Sequence, residues 1–397
     1  MNFAQATACA VVAVVATAAP VAAQVGNLAT PTVGRPLISP VGPPAPVRPV
    51  TLEPRTGPVP STLTLAQALD EAAARSPAIV AAEADVAAAE ARIRQAGYRD
   101  NPELSMEVEN FAGTGQLAGL RSTETTLAVN QRLDLAGRRS ARVGSARAEL
   151  EAQKLRLAIA RADLSQSVRE QFARTVAARD KLAQATENLG RARELARVAG
   201  ILVDAGRDPP LRALRARSAL AQAEAERAAA VADELSARSS LAALFGVGVP
   251  VGSVTGTTID LTPQQVNPDN SLEVRLADAE RVAAQAAVRE QLAQRRPDPA
   301  VGLGVRHIRE TGDIGLVAGV SMPLRFFDTN RGNIDAARQA LAAADARRAS
   351  TLASTTARAR NAIANVEAAQ RRVEALEQAA VPEAAEALRL TELAYRE

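Results

Sequence analysis

The spacing of apolar and polar positions changes period several times after residue 60, and each change marks an element. Thr64-Leu-Ala-Gln67 has capping-box spacing and predicts a short helix. Ser76-Pro77 predicts the start of a second helix, with Ile79, Ala82, Val86, Ala89, Ile93 and Ala96 at three- and four-residue steps, stopped by Asn101-Pro102. The period then drops to two. Leu104, Met106 and Val108 alternate with Ser105, Glu107 and Glu109, and after a loop with Gly113, Gly115 and Gly119, Leu127, Val129 and Leu133 alternate with Thr126, Ala128, Asn130 and Arg132. This is a β-hairpin with one apolar and one polar face.

A very long helix follows, from about Gly137 to Ala199. Leu150, Leu157 and Leu164 repeat every seven residues. After a shift, Val168, Thr175, Leu182 and Leu189 do the same, with Ala178, Ala185 and Ala192 between them. That is coiled-coil spacing with small side chains. Gly200 to Pro210 reads as a turn, and a return helix runs to about Phe245 before Gly246 and Gly248.

The order then repeats. A helix from Ser271 meets a breaker at Pro297-Asp298-Pro299. Val301, Leu303 and Val305 alternate with Gly302, Gly304 and Arg306, then Ile314, Leu316, Ala318, Val320 and Met322 with smaller or polar neighbours, and a second heptad helix carries Leu352, Ala359, Val366 and Val373. Val129, Leu133, Ala146 and Leu150 match Val320, Leu324, Ala337 and Leu341, each 191 residues later. By that offset the second copy stops at Glu397 before its own turn and return helix, about 45 residues by analogy with the first copy, so it is expected to be incomplete at its C-terminus.

The predicted organisation is a signal peptide over 1–23, a Pro-rich extended linker over 24–60, a first repeat over 61–250, a connector over 251–270 and a second repeat over 271–397. The leader rests on the small apolar run Ala8 to Ala23 ending in Val21-Ala22-Ala23, although Met1 to Gln5 hold no Lys or Arg. Only eight residues precede Cys9, too short an apolar segment for a lipid anchor. No later run of 18 uninterrupted apolar residues exists, so any spanning of a membrane falls to strands.

Four strands cannot close a barrel, and open sheet edges cannot sit in lipid. The strands belong either to a soluble sheet or to a barrel shared between chains, and three chains would supply twelve. In a barrel, Leu127, Val129, Leu303, Val305, Leu316 and Val320 are expected to face lipid. Glu107, Glu109, Arg132 and Arg306 are the candidate lumen residues. Arginine at Thr126 or Gly304, on the luminal side, is expected to be electrostatically mild, with steric crowding the risk at Gly304.

Composition narrows the chemistry. Alanine dominates, aromatic residues make up 2 % of the chain and Trp is absent, which suits closely packed helices better than a globular core. With 47 basic and 44 acidic residues intermixed, no nucleic-acid footprint emerges. One Cys and one His, Cys9 and His307, leave no internal disulfide and no Cys/His metal cage. His307 lies in a strand and reads as a barrel-surface or interface residue. Gly302-Leu-Gly304 and Gly113-Thr-Gly115 do not open helices and are hairpin glycines rather than phosphate loops. No catalytic residue, cofactor site or metal site is expected, and the chain is not read as an enzyme.

Leu63-Thr-Leu-Ala-Gln-Ala-Leu69, Ser76-Pro77 and Asn101-Pro102, with Gln131 to Arg139 and Met322 to Ile334 at the two strand-to-helix junctions, resemble the TolC-like outer-membrane efflux proteins over about residues 61–397. The junction wording looks closest to the CzcC-like heavy-metal cation branch. The resemblance implies a mixed α/β membrane protein: a homotrimer whose chains each lend four strands to a 12-stranded β-barrel in outer-membrane lipid. Long antiparallel coiled-coil helices would form a periplasmic tunnel, docked to a periplasmic adaptor and an inner-membrane pump. It implies a passive exit duct. Type I protein secretion, drug efflux and a soluble periplasmic coiled-coil adaptor are the alternatives. The far end of the long helices would be the periplasmic tip, with Gly200, Leu202, Val203, Asp204, Gly206 and Asp208 as candidate gate or adaptor-contact residues.

Overall fold

The computed structural model describes residues 57–256 and 267–396, with side-chain surroundings up to residue 390. The expected leader, Cys9 and most of the Pro-rich stretch lie outside the described residues.

Two short helices open the unit, α1 (Leu65–Arg75) and α2 (Pro77–Ala96). The capping box forms as its spacing predicts: the Thr64 hydroxyl accepts from the Gln67 amide, and the Gln67 side chain accepts from the Thr64 amide at 3.0 Å. Ser76 turns the chain between the helices in extended backbone, and Pro77 starts α2 where a missing N–H costs nothing.

The first hairpin is β2 (Glu103–Glu109) with β3 (Glu124–Arg132), the second β5 (Ala300–Ile308) with β6 (Asp313–Ser321). They join through β3 and β5 into one antiparallel sheet ordered β2-β3-β5-β6. β2 has seven residues where each of the other three strands has nine, because Asn110 takes a positive φ and ends the ladder.

α3 (Arg138–Asp204) has 67 residues, a rod of about 100 Å at 1.5 Å per residue. It packs on α2 and on α4 (Pro210–Leu244), which lie along it in succession. Their ends meet: a Cβ on Gly246, just past α4, would stand 3.0 Å from the Pro77 ring at the start of α2. The two helices thus form one interrupted antiparallel rod beside α3. Among the heptad positions Val168, Thr175 and Leu189 are buried, with Ala199 continuing the alanine series.

In the second repeat, α5 (Leu272–Gln294) packs on α3 and on α6 (Arg331–Ala375). With few large side chains between them, the helices are registered by ion pairs. Arg156 on α3 reaches Glu280 on α5 at 2.7 Å, and Arg281 and Arg348 reach Asp345 and Asp278 across α5 and α6. Each pair is exposed and contributes little stability alone. The second long helix, which carries the heptad Leu352, Ala359, Val366 and Val373, is not one uniform α-helix. It instead passes through a π-helical segment, Leu376–Ala380, into α7 (Val381–Arg396). Pro382 has no N–H for the Gln378 carbonyl, and a widened turn accommodates its ring.

One large-residue core lies beside the middle of α3. Phe172, Val168 and Val176 meet Leu63, Ala68, Leu241, Phe245 and Val254. The core is tied by β1 (Thr62–Leu63) pairing in parallel with β4 (Ser253–Val254), segments 191 residues apart in sequence. Order thus begins before Thr64, since Leu63 is fully buried, and the start of the connector, Val251 and Val254, belongs to the core.

Candidate functional site

The four-stranded sheet divides its side chains by face. Residues directly opposite one another in an antiparallel ladder point the same way. One row runs Met106, Leu127, Val305, Leu316, and the next Leu104, Val129, Leu303, Ala318. These rows are exposed: Leu303 is 71 % and Leu316 91 % accessible. No hydrophobic layer of the described chain covers them, and water is a poor solvent for such a patch. His307 sits on this face, opposite Thr125 and Ile314.

The opposite face is polar and small. Its rows are Glu107, Thr126, Arg306, Gly315 and Glu103, Asn130, Gly302, Gly319, with Ser105, Ala128, Gly304 and Val317 between them. Arg306, on β5, is held by residues of β3 and β2. Its guanidinium reaches Glu124 at 2.9 Å and Glu109 at 3.1 Å, and its Nε donates to the Thr126 hydroxyl at 2.9 Å. Of the four residues expected on the polar face, Glu109 and Arg306 are in direct contact, and Glu107 shares their side. Arg132 lies lower, at the end of β3, with its guanidinium 3.8 Å from Asp100. Thr126 departs from expectation: it is buried beneath Arg306, so an arginine there would meet another cation. Gly304 is crowded as anticipated, because a Cβ would stand 2.6 Å from both the Ala128 Cβ and the Leu127 carbonyl.

At the far end of α3 the expected turn is shorter than its sequence suggested. Gly200, Leu202, Val203 and Asp204 remain helical, since one glycine among good helix formers does not end a helix held by packing. The turn is confined to Ala205–Pro209. Gly206 takes φ +70°, and the Arg207 amide donates back to the Leu202 carbonyl at 2.9 Å, a helix end that glycine permits most cheaply. Asp208 is engaged by Arg212, whose Nη1 lies 2.9 and 2.8 Å from its two oxygens, whereas Asp204 is exposed. Leu202 and Val203 are half-buried.

Between sheet and helices is a clasp that sequence reading missed. Asp298 is nearly buried; it accepts from the Ala136 amide at 3.1 Å and pairs with Arg138 at 3.1 Å, while Arg138 also donates to the Gln294 carbonyl. It fastens the start of α3 to the turn before β5. Its only signal was an Asp between two prolines at a breaker, facing an Arg-Arg pair some 160 residues away. Among the described residues no group of three or more His, Cys, Asp or Glu stands together as a metal-binding set, and no helix is long and apolar enough to cross a membrane.

Comparison with known proteins agrees with this geometry. The family model "outer membrane efflux protein" matches residues 68–247 and 267–397. The nickel-cobalt-cadmium resistance protein NccC of Alcaligenes xylosoxydans is 31 % identical over 304 residues, 76 % of this chain and 69 % of that protein. The cobalt-zinc-cadmium resistance protein CzcC of Cupriavidus metallidurans is 34 % identical over 292 residues, 71 % of this chain and 68 % of its own length. Among solved structures, the outer membrane protein VceC of Vibrio cholerae superposes with a TM-score of 0.67 at 23 % identity, covering 84 % of this chain and 85 % of its own.

Proposed function

The chain belongs to the outer membrane efflux protein family, and on that premise we propose that it is the exit duct of a heavy-metal efflux system. It is an outer-membrane channel component whose helices extend into the periplasm. Three copies, each lending four strands, close a 12-stranded barrel. The observation that carries this reading is the sheet, with one continuous exposed apolar face and two open edges, β2 and β6. Unpaired strand edges in hydrocarbon cost several kcal/mol per group, and only closure removes them.

The duct performs no chemistry on its cargo. A periplasmic adaptor and an inner-membrane pump deliver the cargo, and selection resides in them. The metal assignment rests on the named resistance of the relatives. At the periplasmic tip, Asp204 and Asp208 repeated around a threefold axis would favour cations, and Leu202 and Val203 are the contacts proposed for the adaptor.

The test is deletion of the gene in its host, with tolerance to cobalt, nickel, zinc and cadmium measured. Loss of tolerance to at least one of them, restored by the intact gene, is expected. Unchanged tolerance to all four, with loss of drug tolerance or of a secreted protein, would transfer the duct to drug efflux or type I secretion.

A further inference from the structure

The apolar face of the sheet ends differently at its two limits. Toward the helices, the two-residue spacing of Leu316, Ala318 and Val320 runs on through Met322 and Leu324, both exposed. Toward the hairpin turns, Leu303 and Val305 give way to His307 and then to Arg309. The ladder outlasts the strand there: the Arg309 amide donates to the Thr123 carbonyl at 3.1 Å, one step beyond the Glu124–Ile308 pair. Extended backbone through Ile308 sets Arg309 on the same face as Val305 and His307.

Arg121 joins it from the other hairpin. The loop between β2 and β3 is folded on itself: the Ser122 hydroxyl donates to the Gln116 carbonyl and the Thr123 hydroxyl to the Leu120 carbonyl, each at 2.9 Å. These bonds fix the backbone next to Arg121. Arg121 and Arg309 line one open cleft of about 430 Å³ with Gln116, Ser122 and Glu310. Both arginines are exposed, and among the described residues neither guanidinium has a hydrogen-bond or ion-pair partner. Arg306, three residues before Arg309 and on the opposite face, is by contrast paired with Glu109 and Glu124. The Glu310 carboxylate lies 3.5 Å from the Ser122 hydroxyl and leaves the cleft with two cations against one anion.

The height of the pair decides what it can meet. Ten residues of strand, from Leu133 back to Thr123, span about 34 Å. At the tilt of a barrel strand that is roughly 26 Å along the membrane normal, the height of a barrel's apolar band. With the helices in the periplasm, the hairpin turns lie at the external surface, and the two arginines stand where the outer leaflet changes from acyl chains to headgroups. A ligand matched to both surroundings carries acyl chains for Leu316 and Val305 and an anion for the guanidiniums. A phosphate monoester carries close to two negative charges, and a guanidinium grips it through two parallel N–H donors. The single charge of a phosphodiester would match only one of the two arginines.

We propose that Arg121 and Arg309 of one chain bind the phosphate monoester of a phosphorylated glycolipid in the outer leaflet. The inference rests on the outer-membrane reading; the site itself lies between two hairpins of a single chain. Leu120, exposed beside Arg121, adds apolar surface next to the headgroup.

Binding is measured on the full chain extracted from outer membranes in mild detergent. Native mass spectrometry with added bisphosphorylated lipid A should show lipid adducts, and Arg121→Gln with Arg309→Gln should weaken them at least about tenfold, as expected when charge-assisted contacts are lost. Arg360→Gln, which removes an exposed charge on α6, should leave the affinity unchanged. Lipid A stripped of its phosphates should bind the unaltered protein as weakly as the intact lipid binds the double variant. Equal affinity for lipid A with and without the two arginines, or with and without its phosphates, would overturn the site while leaving the membrane reading intact. Inorganic phosphate that displaces lipid A at equal concentration would make the cleft a free-anion site and overturn the lipid assignment. A chain released from membranes by high salt alone, without detergent, would overturn the membrane reading and this inference with it.

Discussion

Side-chain direction decides the consequence of a substitution in the sheet. Arg at Leu316 or Val305, on the apolar face, should cost about 2–4 kcal/mol near the bilayer midplane and lower the yield of assembled protein in outer-membrane fractions. Glycine position matters on the other face. Gly304→Ala forces a methyl group against the Ala128 side chain and the Leu127 carbonyl, while a Cβ at Gly315 meets no atom within 4 Å. Gly304→Ala is therefore expected to reduce assembled yield more than Gly315→Ala, and equal yields would contradict the crowding. At the turn after α3, Asp208→Asn removes a carboxylate that pairs with Arg212. If the carboxylate ring governs passage, single-channel recordings in planar bilayers should show reduced cation selectivity; unchanged conductance and selectivity would reduce Asp208 to a structural acceptor for Arg212.

Elements were legible where a single period ran long. The two hairpins, the capping box at Thr64 and the stop at Asn101-Pro102 follow from local chemistry, and the 191-residue offset ties the second strand-to-helix junction to the first. Elements set by distant partners were not legible. Thr62–Leu63 and Ser253–Val254 are too short to carry a pattern and are strands only because they pair with each other. Phe172 falls outside the leucine heptad, yet it anchors the core because α1, α4 and the connector converge there. Gly200 misled for the opposite reason: tertiary packing carries the helix through a residue of poor propensity. Phe172→Ala should cost about 3–5 kcal/mol and lower the midpoint of thermal unfolding followed by helical circular dichroism, whereas Val231→Ala, exposed on α4, should leave the midpoint nearly unchanged.

For the whole molecule, the two faces of one sheet and its two unpaired edges make the same demand. A sheet apolar on one side and charged on the other suits lipid outside and water inside, and β2 and β6 require strands that none of the described residues supplies. Alternation along the strands made the faces readable from sequence. The Arg306 contacts with Glu109 and Glu124 were not, because they depend on the register between hairpins some 180 residues apart. The central claim is that copies of this chain share one barrel, and the most direct test is the mass of the particle extracted from outer membranes in mild detergent, by native mass spectrometry or light scattering. Three chains per particle is the predicted result; a single chain that remains folded and detergent-bound would contradict it.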